Sequence, residues 1–329
     1  MTTVTDTAPM PAQRSWRRDL TGLVIIAVAG AGGYLLFPDN LAFLTRIISV
    51  ALLVLSLDLL IGYCGVATLG QSALYGAGAY GAGIAAVNGL TDPVLLVGLG
   101  AVIGSMAGLL MGIVLLRGHG LAQLVLSIAS VQLFHEAANK ATSITGGSDG
   151  LYGIVPSPLF GVFEFDLYGK TAFLGGLGLL ILVFAGLSYV VRSPFGITCQ
   201  GIRQDALRIR SMGIAVRPVL LKMFVLSGAV AGMGGALGAV ATQVVGLDSV
   251  SFELSANALV MLVVGGTGSL YGALIGTAIF LGAEHIVSAI NPFHWLTMIG
   301  LLLIVIVLFV PRGLYGLILD ASRHWRRPS

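Results

Sequence analysis

The stretch 41-LAFLTRIISVALLVLSLDLLI-61 decides the fold class of this chain, because it is long and apolar enough to cross a lipid bilayer as a helix. Such a span needs about 20 predominantly apolar residues. The rest of the chain has the same character: 57% of its 329 residues are hydrophobic and only 9% are charged. A soluble domain carries roughly 25% charged residues. We therefore predict an all-α, polytopic membrane protein.

The apolar segments along the chain predict about 8–10 transmembrane helices, some of them broken by glycine or re-entrant. The candidate spans are residues 20–37, 41–61, 69–90, 93–116, 121–139, 171–191, 219–243, 254–267, 269–290 and 294–311. The first is long for the apolar part of a cleaved signal peptide, so we expect it to be retained as a span. The eighth is short and interrupted by glycine, which is typical of a broken or re-entrant helix.

The positive charges assign an orientation to these spans. With the N-terminus inside, all of the 17 Lys and Arg residues lie on the inner side except Arg46, Lys140 and Lys170. Cytoplasmic loops carry such an excess, so we expect cytoplasmic termini, a place in the cell inner (plasma) membrane and no nucleic-acid partner. The predicted organisation is an N-terminal tail at 1–19, one transmembrane domain at 20–318 with an outer loop at 140–170 and an inner loop at 192–218, and a C-terminal tail at 319–329.

Two glycine-rich segments, 62–89 and 263–282, depart from the Leu-, Val- and Ile-rich pattern of lipid-facing helices. Small residues at four-residue spacing let helices approach closely, and this structural interpretation accounts for most of these glycines, including those from Gly268 to Gly276. The alternative is unwound backbone at the N-terminal end of the third span and after the eighth. Polar groups freed there would line a cavity, as in the broken helices of transporters.

Asp58 is the deepest ionisable residue of the predicted spans. An acid inside a membrane is a functional candidate by default, although a hydrogen bond between buried helices would explain Asp58 equally well. Together with the residues at the two breaks it gives a candidate translocation path. The path residues are Asp58, Gly70, Gln71, Ser72, Tyr75, Gly265, Gly266, Thr267 and Gly268.

The inner loop concentrates five arginines against one acid, Asp205. Apolar residues recur from Ile202 to Met212 at spacings of four, three and three, which predicts one continuous short helix with an apolar face. Gly213 would end that helix. Three uses stay open: a helix resting on anionic lipid, a loop whose charges only reflect the excess of Lys and Arg on the cytoplasmic side, and a docking helix for a cytoplasmic protein.

The sequence carries no motif for catalysis or nucleotide binding. Residues 167–171, LYGKT, resemble the end of a phosphate-binding loop, but Glu164 stands where that motif needs glycine. No Cys/His cluster has metal-ligand spacing, and we expect Cys64 and Cys199 to be inert thiols on the cytoplasmic side. We therefore expect a chain that is not an enzyme and that binds no metal or cofactor of its own.

Five motifs resemble, in order, those of the permease subunits of ABC importers for branched-chain amino acids, in the LivM-like branch. They are GYCGVATLGQSALYGAGAY at 62–80, TGGSDGLYGI at 145–154, SPFGI with GIRQDALRIRSMGI between 193 and 214, MLVVGGTGSLYGALIG at 261–276, and PRGLYGL at 311–317. Thr68, Gln204 and Ala273 depart from the family pattern.

The resemblance implies a permease subunit that forms the path for a small amino acid or a related solute such as urea or an amide. Its partners would be a second permease subunit, related but not identical, two cytoplasmic ATPases that bind Mg-ATP, an extracytoplasmic binding protein and the lipid bilayer. Gly147, Ser148 and Asp149 would contact the binding protein. The ATPase-coupling helix would contain Ile202, Arg203, Gln204, Asp205, Ala206, Arg208, Ile209, Met212 and Gly213.

The competing hypothesis is a self-sufficient secondary transporter or channel for a small neutral or zwitterionic solute. The glycine-broken spans favour it. The sequence lacks a chain of intramembrane acids for proton coupling, and this counts against a proton-driven carrier.

Overall fold

The chain is an all-α protein in a computed structural model, which describes residues 16–36, 40–118, 120–158 and 169–290, with Gly300, Leu314 and Gly316 as single residues. The helices are α1 (Trp16–Leu36), α2 (Leu41–Asp58), α3 (Gln71–Val87), α4 (Pro93–Leu115), α5 (Leu121–Lys140), α6 (Thr142–Thr145), α7 (Lys170–Arg192), α8 (Pro194–Gln204), α9 (Ala206–Ser211), α10 (Val216–Thr242), α11 (Phe252–Gly265) and α12 (Leu270–Ile290). The described residues form no strand beyond a single bridge between Leu151 and Val245.

Six helices of the described ranges are long and apolar enough to cross a membrane: α2 with its π-helical extension to Tyr63, α4, α5, α7, α10 and α12. The helices α1, α3 and α11 occupy the other predicted spans up to residue 290. The predicted all-α, polytopic class is thus confirmed. The tenth predicted span, 294–311, lies outside the described residues apart from Gly300, and so do residues 1–15 of the predicted N-terminal tail and the whole predicted C-terminal tail, 319–329.

Helices α2 and α10 form the interior of the fold. Of the most apolar 18-residue stretch of each span, 78% is buried in α2 and 72% in α10, whereas only 17% is buried in α5. Helix α10 packs against α2, α3 and α4. The leucines along the second half of α2 are at most 1% exposed. The two interior helices therefore position the side chains described below.

Helices α3, α4 and α10 cross with their backbones in contact at glycines. A Cβ atom on Gly104 of α4 would lie 2.8 Å from Gly232 Cα of α10 and would overlap the carbonyl oxygen of Gly228. One on Gly78 of α3 would overlap the backbone of Gly232. The four-residue spacing of Gly100, Gly104 and Gly228 with Gly232 is the small-residue pattern of membrane helix pairs. This spacing is visible in the sequence, but it does not show which helices meet.

Both predicted backbone breaks are confirmed. Residues 65–70 have no helical structure before α3 begins, and residues 266–269 separate α11 from α12. Gly266 and Gly268 have φ values of +108° and +83°, which glycine adopts without steric cost. With 14 residues, α11 is about 21 Å long and falls short of the roughly 30 Å hydrocarbon core. It forms a helical hairpin with α12.

The predicted glycine row in this hairpin is confirmed in part. A Cβ atom on Gly272 would lie 2.6 Å from the carbonyl oxygen of Gly266, and one on Gly276 would lie 2.7 Å from the amide nitrogen of Gly265. These two glycines let α12 approach α11 closely. Gly268 lies in the turn before α12, so it belongs to the break and not to the helix contact.

Candidate functional site

A cavity of about 1430 Å³ opens beside the predicted outer loop, where Ser148, Asp149 and Tyr152 line it. Its other walls come mainly from α2, the end of α10, the 3-10 turn Leu247–Val250, and α11. The arginine, histidine and acidic lining residues are Arg46, His135, Asp149, Asp248, Glu253 and Glu284. Arg46 Nη2 lies 3.5 Å from Glu284 Oε1. Because acids outnumber arginines in this lining, the cavity disfavours a solute with net negative charge.

The floor of the cavity is a hydroxyl pair between α2 and α3. Ser49 Oγ donates to the carbonyl oxygen of Gly234 at 2.8 Å and lies 2.7 Å from Tyr75 Oη. Since the serine has one proton to donate, the tyrosine hydroxyl donates to Ser49 Oγ. Tyr75, a predicted path residue, thus joins α2, α3 and α10 while its side chain also lines the cavity.

Tyr75→Phe should lower stability without disrupting the fold. The substitution removes one hydrogen bond while Ser49 keeps its bond to Gly234, so we expect a loss of about 0.5–1.5 kcal/mol. The measurement is thermal unfolding of the purified chain in detergent. Tyr152→Phe is the matched control, because Tyr152 also lines the cavity but is 61% exposed. An unfolding temperature of Tyr75→Phe equal to that of the control would contradict the proposed bond.

Below this floor a set of buried polar side chains continues through the core. Gln71 Nε2 donates to Ser227 Oγ at 2.7 Å and to Ser56 Oγ at 3.2 Å. The amide of Ser72 donates to Ser255 Oγ at 2.9 Å. All five residues are at most 1% exposed. Buried polar groups persist where they find such partners. Gln71 and Ser72 are among the predicted path residues, whereas Ser56, Ser227 and Ser255 are not, although each is a hydroxyl inside an apolar span.

The polar set ends at Asp58, the last residue of α2, whose side chain has no exposed surface. Asp58 Oδ1 accepts a hydrogen bond from the amide of Gly268 at 2.7 Å. Arg203 Nη1, from α8, donates to the carbonyl oxygen of Gly62 in the π-helical turn Leu59–Tyr63. The two predicted breaks, the end of α2 and the inner loop therefore meet at one place.

The other candidates for the translocation path differ in their surroundings: two glycines pack against neighbouring residues, and Thr267 is exposed. A Cβ atom on Gly70 would overlap the end of Met111, and one on Gly265 would overlap the carbonyl oxygen of Gly272. These two glycines serve close packing, the first of the two interpretations given above. Thr267 is exposed at the tip of the turn between α11 and α12.

The predicted continuous helix over residues 202–213 is wrong. Helix α8 ends at Gln204 and α9 begins at Ala206, because Asp205 adopts extended backbone angles of −157° and 98°. Its Oδ1 accepts hydrogen bonds from the amides of Leu207 and Arg208, each at 3.0 Å. Aspartate is a preferred N-cap residue, and a capping side chain starts a new helix. Gly213 has a φ of +84° after α9, so the predicted end is confirmed.

The break changes which apolar residues share a face. Ile202 and Cys199 of α8 are buried at 6% and 0% exposure, whereas α9 has no buried residue. Met212, predicted on the apolar face with Ile202, is instead 68% exposed, and Leu207 is 74% exposed. Ala206 and Ile209 are half-buried, while Gln204, Arg208 and Arg210 are exposed. One face of α8 is therefore part of the core, and α9 rests on the core through the half-buried Ala206 and Ile209.

The predicted binding-protein contacts lie at the rim of the cavity. Gly147 is buried at the start of the 3-10 turn Gly147–Asp149, while Ser148 and Asp149 are exposed. The bridge between Leu151 and Val245 ties this loop to the end of α10.

Together these features define a class: a polytopic helical transport subunit, with an acidic cavity on one side and a packed polar set leading from it to a basic inner loop. Residues 40–309 match the family described as "Branched-chain amino acid transport system / permease component". The chain belongs to this family, as the motifs indicated.

Individual relatives support the same assignment. The "High-affinity branched-chain amino acid transport system permease protein LivM" of Escherichia coli is 27% identical over 321 residues, which covers 90% of this chain and 74% of that protein. The LivM protein of Salmonella typhimurium is 26% identical over the same shares. The permease protein BraD of Pseudomonas aeruginosa is 28% identical over 143 residues, 41% of this chain and 44% of that protein. No solved structure matches the chain.

Proposed function

We propose that this chain forms the translocation path of an ABC importer for a small amino acid of the branched-chain type or a related neutral or zwitterionic solute. The observation that carries the proposal is the succession of buried polar groups from Ser49 and Tyr75 through Gln71 to Asp58. It begins at the floor of the cavity and ends beside the inner loop. Family membership supports the same role.

The charges of the cavity support a solute without net negative charge. The Arg46–Glu284 pair offers one cation and one anion within 3.5 Å, which suits the two ends of a zwitterion. A carboxylate solute lacking an amino group would meet repulsion from Asp248 and Glu253 in the same lining.

The orientation follows from the positive charge of the inner loop. With that loop in the cytoplasm of a cell inner membrane, the cavity opens outward and its rim at Ser148 and Asp149 receives an extracytoplasmic binding protein. Helix α9 then contacts one of two cytoplasmic ATPases, which bind Mg-ATP and carry out all nucleotide chemistry. A second, related permease subunit completes the pore in the bilayer, and this chain itself performs no catalysis.

Reconstitution tests the proposed function. We expect proteoliposomes that contain the chain, its partner permease, the ATPases and the binding protein to accumulate labelled leucine with ATP but not with a non-hydrolysable ATP analogue. The chain alone should give background uptake, because it carries no ATPase of its own. Uptake by the chain alone, indifferent to ATP, would instead support a self-sufficient carrier or channel, which the glycine breaks also fit.

A further inference from the structure

The inner end of the path is closed by a contact among three segments that are far apart in sequence. They are the end of α2 with its π-helical turn, the turn between α11 and α12, and α8. The cavity reaches Tyr75 and Met261 from the outer side. Beyond it, the leucines of α2 and the hydroxyls around Gln71 are fully packed. A solute that crosses to the inner side must part the contact that lies at the end of this packed region.

Asp58 forms the buried half of the contact. Its Oδ1 accepts the amide of Gly268 at 2.7 Å, and these residues are 210 positions apart. A Cβ atom on Gly62 would lie 2.5 Å from the same Gly268 amide nitrogen and would overlap the Asp58 carboxylate. The π-helical turn is therefore packed directly on the bond. This hydrogen bond therefore holds α2 to the turn between α11 and α12.

Arg203 forms the accessible half of the contact. Its Nη1 donates to the carbonyl oxygen of Gly62, and a Cβ atom on Gly268 would lie 2.9 Å from the same Nη1. The guanidinium also lies close enough to act electrostatically on the Asp58 carboxylate. The rest of the Arg203 side chain is exposed. One side chain of α8 thus touches both segments that Asp58 joins.

We propose that Asp58 and Arg203 are the positioning residues of an inner gate, closed here, which opens when the α8–α9 segment withdraws Arg203 from Gly62 and Gly268. The inference rests on the proposed function, since ATPases moving α9 would supply the displacement. The hydrogen bond from Arg203 to Gly62 and the approach of its guanidinium to Gly268 hold α8 on both segments that Asp58 joins. Withdrawal of Arg203 therefore removes one of the two contacts that keep this place closed. The positive φ angles of Gly266 and Gly268 and the π-helical turn, a feature frequent at functional sites, are the deformable parts around it.

The two cysteines of the chain report on this gate. Cys64 follows the π-helical turn, Cys199 lies one helical turn before Arg203, and their exposures are 2% and 0%. The hydrogen-bonded Cys199 thiol and burial together raise the pKa of Cys64 well above its usual range. Because the thiolate is the reactive form, Cys64 should react slowly while the gate is closed.

The experiment measures labelling of Cys64 by N-ethylmaleimide in the reconstituted complex. All variants carry Cys199→Ser, so that Cys64 is the remaining thiol of the chain and its slow labelling in the closed state rests on its burial, at 2% exposure. We expect slow labelling without ATP and faster labelling during ATP-driven transport. Asp58→Asn and Arg203→Gln should label about tenfold faster without ATP, since each weakens one of the two hydrogen bonds that hold the contact together. Arg117→Gln, an exposed arginine at the end of α4, should label like the background.

Two further variants separate a gate from a general loss of structure. Asp58→Asn combined with Arg203→Gln should label no faster than either alone, because both changes open the same contact. Arg203→Lys keeps the charge and should stay near the background, and co-purification with the ATPases verifies assembly. Unchanged labelling in Arg203→Gln, or additive effects in the double variant, would overturn the gate. ATP-independent leucine uptake in the background would overturn the importer function instead, while the labelling without ATP would still test the contact.

Discussion

Gly104→Leu should prevent the chain from folding stably, whereas Gly98→Leu on the same helix should be tolerated. A Cβ atom on Gly104 meets the backbones of Gly228 and Gly232, and no side chain there can move aside. A leucine must push α4 away from α10 along their whole crossing. Overpacking of this kind costs about 3 kcal/mol or more when backbone has to shift. Nothing lies within 4 Å of a Cβ atom on Gly98.

Size-exclusion chromatography and thermal unfolding in detergent measure the difference between these variants. Gly98→Leu should elute as a single species and unfold near the unsubstituted chain. Gly104→Leu should be aggregated or degraded. If both variants elute and unfold alike, the glycine crossing is not the contact that holds α4 to α10.

Leu207→Asp should abolish transport while leaving the chain folded and inserted. Leu207 is the most exposed large apolar residue of α9, at 74%, and it stands beside Arg208 and Arg210. If α9 docks on an ATPase, a buried acid in place of an apolar anchor costs about 2 kcal/mol or more of binding free energy. We expect at least about a tenfold loss of ATP-driven leucine uptake and of ATPase stimulation by the loaded binding protein.

Leu207→Met is the matched control for this prediction, because it keeps an apolar side chain of similar volume. It should transport like the unsubstituted chain. Normal coupling in Leu207→Asp would contradict ATPase docking by α9. Loss of binding to anionic vesicles by Leu207→Asp, with coupling intact, would favour the lipid-resting helix that the sequence left open.

Features with a local cause could be predicted from the sequence. Hydropathy located the spans, and the glycines around Gly70 and Gly266 located the breaks, because a missing side chain has direct consequences for its own backbone. The helix break at Asp205 was also local, but helical periodicity and N-cap preference compete at that position. The spacing of the flanking apolar residues favours one continuous helix, and for this reason the break was not predicted.

Pairings between distant residues could not be predicted in this way. Asp58 was a candidate because an acid inside a membrane span is costly to bury. Its partner Gly268, however, lies 210 residues away, and the Gly62 carbonyl that Arg203 binds lies 141 residues from Arg203. A single sequence contains the propensity of each residue and no record of which elements meet. The same limit applies to the glycine crossing, where the spacing was visible but the partner helix was not.

The glycine crossing also has a mechanical consequence. Where helices touch through their backbones, no side chain lies between them that could change its rotamer. Helices α3, α4 and α10 therefore have no alternative packing and should move as one rigid frame. Motion during a transport cycle is then left to elements hinged on that frame: the short α11 with α12, and the end of α2. These three helices look pliable by composition, because each carries four or five glycines, yet they would be the stationary part of the transporter.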